Sequence, residues 1–302
     1  MTKFIQVLFY GNIFLGLSAV ALCVETNLLN NISLNVFPFY ILIFLCTCLY
    51  YTRIYVKSVG TKNYDDRTLW YRKNLSTLKL ILKYVVAVSS LFLLFLITKN
   101  LHQFFLLTPV QFLLIIAFPL IAAWYTFAPG FLKIRNIREV GWIKPFIVGL
   151  TWAGWVTFYP VIIWKLQTGL KPELSFLSLF LLWLQNLLFF SINAIIFDIK
   201  DLKTDSSNRL KTYPVIFGIK NTFRFIVIPA TFLNLVVFFL FQAQNNFTSG
   251  QVVIQLIPYA LLILVIAKYR RGRNVLYYLA IVDGLVFLKA VCGIASIIFL
   301  KN

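Results

Sequence analysis

The chain has 302 residues, of which 61% are hydrophobic and 12% charged, and 28 Lys and Arg against nine Asp and Glu give a formal charge of +19. That balance excludes a water-soluble domain; its apolar runs of about 17–25 residues are helix length, too long for the strands of a membrane barrel. The basic excess is dispersed over the links between runs, which points to lipid headgroups and a phosphorylated ligand and away from nucleic acid.

The first run extends from about Gln6 to Val24, and Glu25 to Asn35 forms a polar link without Lys or Arg. Its end, Ala21-Leu22-Cys23, makes a poor cleavage site, so the run is kept as a span. Span two covers about Phe37 to Val56, followed by a basic segment, Lys57 to Lys73, with Tyr64-Asp65-Asp66-Arg67 in its middle. Spans three and four cover about Leu78–Thr98 and Pro109–Phe127. A second basic segment, Lys133 to Lys144, leads into span five, about Pro145–Leu166. Span six, about Leu174–Phe197, carries no charge after Glu173 and ends at a cluster of aspartates. Spans seven, eight and nine cover about Asn221–Phe241, Gln251–Ala267 and Val275–Leu300. The expected architecture is an all-α integral membrane protein of nine transmembrane helices, residues 1–302 forming one transmembrane domain.

With the N-terminus in the cytoplasm and the C-terminus outside, 23 Lys and Arg fall in the cytoplasmic segments and four outside. That is the bias the positive-inside rule demands. It puts the links after spans two, four and six on the cytoplasmic side. High Lys, Asn, Ile and Phe content and the lack of an organelle-targeting segment point to a bacterial inner membrane. Cys23, Cys46, Cys48 and Cys292 all fall inside apolar runs, where they read as packing residues. The one histidine, His102, falls in a loop facing away from the aspartates, which disfavours Ser-His-Asp or His-metal chemistry.

The functional signal lies at the end of span six, Asn193-Ala-Ile-Ile-Phe-Asp198-Ile-Lys200-Asp201-Leu-Lys203-Thr204-Asp205, continuing through Arg209, Lys211-Thr212, Pro214 and Gly218. Spacings of three and four place Asp198, Asp201 and Asp205 on one face of a helix over two turns. Carboxylates that close repel one another and are expensive to desolvate, so a cation should accompany them. A hard divalent ion such as Mg²⁺ suits three carboxylates. Lys200, Lys203, Arg209 and Lys211 stand beside them for an anionic ligand. The alternative is a solvated, charge-mixed link between helices.

Over about twenty-five residues this pattern resembles the second aspartate motif of the UbiA-type membrane prenyltransferases, D-x-x-D-x-x-x-D, a basic residue, then K-T-x-P-x-x-x-G. The nine spans, with long links after spans two, four and six, resemble that superfamily over the whole chain. The resemblance implies a helical bundle around a central cavity that opens near the cytoplasmic side. It implies transfer of an isoprenoid chain from an allylic diphosphate to a hydrophobic aromatic or lipid acceptor. Asp198, Asp201 and Asp205 would hold Mg²⁺ on the diphosphate, with Lys200, Arg209 and Lys211 as further phosphate contacts. Lys133, Arg135 and Arg138 would reach the same group from the link after span four, unless they serve only as positive-inside anchors.

At the inner end of span two, where the family carries its first aspartate motif, this chain reads Cys48-Leu-Tyr50-Tyr51-Thr52-Arg53-Ile-Tyr55-Val-Lys57, without a carboxylate. Asp65 and Asp66 come too late in sequence, and Phe197 stands where the family usually has Asn. One metal subsite should therefore be missing, with Arg53 and Lys57 in position to grip phosphate directly. The second functional reading is a catalytically degenerate member that binds or carries a phosphorylated isoprenoid lipid. A transporter is disfavoured, because no paired Gly or Pro interruptions mark two repeated halves. Asp283 and Lys289 are ionisable groups inside span nine, for which pairing with another helix and lining of the same cavity are both open. Asn186 and Asn193 are expected to bond neighbouring helices.

Overall fold

The computed structural model describes residues 3–60, 65–127, 140–269 and 274–300. These residues are helical and contain no strand. The order is α1 (Lys3–Tyr10), α2 (Ile13–Leu29), α3 (Phe37–Ser58), α4 (Asp66–Lys73), α5 (Leu75–Lys99), α6 (Leu101–Phe105), α7 (Pro109–Phe127) and α8 (Lys144–Thr168). Then come α9 (Phe176–Lys200), α10 (Leu202–Ser207), α11 (Tyr213–Thr222), a π-helical turn (Phe223–Val227), α12 (Ile228–Gln244) and α13 (Ser249–Ala267). The last span joins α14 (Val275–Tyr277), a second π turn (Tyr278–Val282) and α15 (Asp283–Phe299). Among the described residues eight helical stretches are long and apolar enough to cross a membrane, and α1 with α2, bent by 54°, makes a ninth where the pair counts as one span. The chain is an integral membrane protein, as its composition requires.

Six helices close into a ring, in which α2 packs on α8, α8 on α9, α9 on α12, α12 on α13, α13 on α15 and α15 back on α2. Helix α3 packs on α2 and on α5, while α7 lies against α8. Helix α9 is the central member: 61% of its apolar window is buried, against 11% for α5 and for α7, whose large side chains face outward. Glycines permit the closest approaches. A Cβ added at Gly149 would lie 2.8 Å from the Leu187 carbonyl oxygen and would collide with Ser191 Oγ, so α8 and α9 meet nearly backbone to backbone. Small residues at such crossings are the usual device for packing helices in lipid.

The first span differs from its expected limits at both ends. It bends at Asn12, which adopts φ 62°, a left-handed conformation that Asn tolerates better than most residues. It also continues to Leu29, past Glu25, which sequence alone places in a polar link. Glu25 stays within the helix because Lys289 of α15 donates to both of its carboxylate oxygens at 3.0 Å. Both side chains are nearly inaccessible, at 4% and 3%. The four cysteines are unpaired, as expected of packing residues. Asn186 bonds Thr157 of α8 at 3.0 Å, whereas Asn193 bonds the Phe189 carbonyl of its own helix at 2.7 Å.

Candidate functional site

The acidic stripe does not lie on one unbroken helix. Helix α9 ends at Lys200, Asp201 forms the junction with φ −90° and ψ 5°, and α10 carries Asp205. The junction is tight: the Asp201 amide donates to the Asp198 carbonyl at 3.1 Å, and the Asp205 amide to the Asp201 carbonyl at 2.8 Å. Asp198 and Asp205 therefore face inward and are buried, while the Asp201 side chain is 34% exposed.

Each of the first two carboxylates meets a lysine. Lys144, the first residue of α8, donates to Asp198 Oδ1 in a short ion pair. The second oxygen, Asp198 Oδ2, is buried without a hydrogen bond. Lys200 pairs with Asp201 at 3.2 Å, and its ammonium lies 5.5 Å from the centre of the Phe197 ring. Asp205 lies within electrostatic reach of Lys144.

The motif tail has a local structural reading. Thr212 precedes α11 with φ −74° and ψ 160°, and Pro214 stands in the first turn, where its missing N–H leaves no helical bond unmade. Gly218 has φ 73° and ψ 162°, a conformation closed to other residues, and breaks α11 there. Gly141 fits against this tail, since a Cβ there would lie 2.6 Å from Lys211 C and Thr212 N. That contact anchors the start of α8 and so the position of Lys144. Arg209, with φ 55°, and Lys211 are exposed and make no ion pair among the described residues. Lys133, Arg135 and Arg138 lie outside the described residues. Arg53 and Lys57 are exposed on α3.

The same end of α3 supplies phenols and a hydroxyl in place of carboxylates. Tyr51 accepts from Trp152 Nε1 at 2.6 Å. Thr52 accepts from Asn12 Nδ2 at 3.0 Å. Tyr55 accepts from Arg67 Nη1 at 2.9 Å. Arg67, from α4, also donates to Asn12 Oδ1 and is buried. Tyr71 donates to the Tyr10 carbonyl at 2.8 Å, which ties α4 to the bend between α1 and α2. Asp65 accepts from the Thr68 amide at 2.7 Å, so it caps α4.

Asp283 completes the group. It opens α15 directly after a π turn, a feature that recurs at functional sites. Arg67 and Lys200 lie within its electrostatic reach, as does Tyr51. It makes no hydrogen bond or ion pair among the described residues and is half-buried, inside a membrane span. A Cβ added to the next residue, Gly284, would meet nothing within 4 Å. Neither Lys144 as the partner of Asp198 nor Arg67 stands out in the sequence, where both lie in basic segments indistinguishable from positive-inside anchors.

Cations of the chain itself already pair with much of this donor set. Among the described residues no three or more His, Cys, Asp or Glu side chains are placed to hold a metal ion by themselves, although Mg²⁺ on a diphosphate takes only one or two carboxylates beside the phosphate oxygens. Asp198 and Asp201 already carry ammonium partners, and α3 brings no carboxylate to the site. The arrangement offers instead two lysines with unused N–H groups, each ammonium having three.

No protein-family model matches the chain, and no curated protein matches it. A solved structure of digeranylgeranylglyceryl phosphate synthase, a UbiA-type membrane prenyltransferase, superposes with a TM-score of 0.59 over 99% of this chain and 100% of that one, at 14% identity. The bundle that holds Lys144, Asp198 and Asp283 thus has the fold of a UbiA-type membrane prenyltransferase.

Proposed function

We propose that this protein binds an isoprenoid diphosphate at the end of the bundle that carries Asp198 and transfers the isoprenoid chain to a hydrophobic aromatic or lipid acceptor. The observation behind this reading is a buried, lysine-neutralised carboxylate at the end of α9, in a chain that shares its whole fold with a membrane prenyltransferase. Membrane spans serve such chemistry physically. They shelter an allylic cation from water, and aromatic rings such as Phe197 and Tyr278, with centroids 5.7 Å apart, present faces that favour positive charge. Lysine ammoniums neutralise the charge that develops on a departing diphosphate. We place residues 1–302 in one domain, with the site at the cytoplasmic face of a bacterial inner membrane, the N-terminus inside and the C-terminus outside.

A second reading is favoured by a specific observation. Helix α3 lacks carboxylates and Asp198 is neutralised from within, so the protein would carry a phosphorylated isoprenoid lipid without reacting it. Release of diphosphate from a panel of allylic diphosphates separates the two, with Asp198→Ala and Asp201→Ala as controls. Turnover that both substitutions abolish supports the transferase. Binding without turnover supports the carrier, and neither binding nor turnover refutes both.

A further inference from the structure

Resting on the diphosphate reading above, we propose that Lys144 stands in for a divalent ion: it neutralises Asp198 and offers its remaining N–H groups to the phosphate. An isoprenoid diphosphate then binds here without metal.

Three observations carry this inference. First, the pair is built into the packing. Gly149 lets α8 and α9 approach nearly backbone to backbone, and Gly141 seats the start of α8 on Lys211–Thr212. Those two contacts bring Lys144 to Asp198. Second, the placement opposes local preference. Lys144 is the first residue of α8, where the helix dipole disfavours a cation. A lysine held there is offset by its partner, and Asp198 is that partner. Third, the two groups differ in access. The Asp198 side chain is 3% exposed and that of Lys144 is 21% exposed. A ligand that reaches this pair therefore meets the lysine side chain before the carboxylate. A divalent ion bridging carboxylate to phosphate occupies the same intermediate position.

Lys200 pairs with Asp201 as well, although there the carboxylate is the more exposed partner, at 34% against 11%. Neither carboxylate needs an external cation to offset its charge. The phenols and hydroxyl at the end of α3 fit the same economy, because Tyr51, Thr52 and Tyr55 add no negative charge for a second ion to neutralise.

The test uses the full-length protein purified in detergent, with radiolabelled geranylgeranyl diphosphate as probe, in excess EDTA and in excess MgCl₂. Affinity should agree within about twofold between the two conditions, as expected when no ion contributes to binding. Lys144→Gln should lose about tenfold or more in EDTA, since it leaves Asp198 buried and uncompensated, and should recover in MgCl₂. Lys144→Arg keeps the charge and should bind in EDTA, which separates loss of the cation from loss of the fold. Electron paramagnetic resonance of added Mn²⁺ should show no bound ion in the native protein. Native binding that vanishes in EDTA and returns with MgCl₂ would overturn the inference while leaving the diphosphate reading intact. A bound Mn²⁺ signal that Asp198→Asn removes would do the same. Absence of probe binding in both conditions refutes the diphosphate reading itself.

Discussion

The buried pair between Glu25 and Lys289 gives the most quantitative prediction. Lys289 Nζ lies 3.0 Å from both carboxylate oxygens, and neither side chain is more than 4% exposed. Removing one partner strands the other charge inside the bundle, which costs about 3–5 kcal/mol. For a chain of this size that loss corresponds to a fall of roughly 5–15 °C in apparent melting temperature. Glu25→Met and Lys289→Met should each show it by thermal unfolding in detergent. The double substitution should return to within about 1 kcal/mol of the native protein, because two apolar side chains of similar volume need no partner. Gly293 sharpens the test. A Cβ there would lie 2.6 Å from Glu25 Cγ, so Gly293→Ala should cost about 1–3 kcal/mol by overpacking in the native background. In Glu25→Ala that cost should disappear. Single substitutions at Glu25 or Lys289 that shift stability by less than about 0.5 kcal/mol would refute the assignment of a desolvated pair.

Gly149→Ala should destabilise by about 1–3 kcal/mol, because its Cβ meets the Leu187 carbonyl and Ser191 of α9; unchanged thermal stability would contradict the close α8–α9 approach. A hydrophobic carbodiimide should modify Asp283 and spare Asp198, whose charge Lys144 holds; peptide mass spectrometry reads the site, and equal labelling of the two would count against the pairing. Single cysteines at Lys203 and at Glu173, in a background cleared of the four native cysteines, should react with an impermeant maleimide from opposite sides of the membrane, the first only in inverted vesicles. The reverse pattern would invert the proposed topology.

Hydropathy alone marks most of the bundle. The expected fourth span matches α7 at both ends, and the ninth matches the run from Val275 to Phe299 within a residue. The failures have a common physical cause. Glu25 looked like the end of span one because its counter-ion sits 264 residues later, on a helix that packs beside it only in the folded chain. Arg67 looked like one basic residue in a link, yet it is buried because Asn12, Tyr55 and Tyr71 form a polar socket drawn from three separate segments. The acidic motif was legible as a motif, since spacing is local. Its neutralisation by Lys144 was not, since that depends on two glycines allowing α8 to lie close against α9 and the Lys211–Thr212 tail. The basic segment through Lys133, Arg135 and Arg138 remains a proposal from resemblance.

The described spans hold three carboxylates: Glu25, Asp198 and Asp283. A charge in a membrane span is expensive unless it is paired or reaches water. Glu25 has Lys289 and Asp198 has Lys144, each supplied by another helix. Among the described residues Asp283 has neither a hydrogen bond nor an ion pair, and the residue is half-buried. Such a group is tolerable in a span where cations lie within reach or where it borders water. The cations within its reach, Arg67 and Lys200, come from elements that also frame the acidic end of α9. Under the transferase reading proposed above, the lysine-paired carboxylate on α8 and α9 would serve the phosphate, and Asp283 on α15 would accept a hydrogen bond from the second ligand.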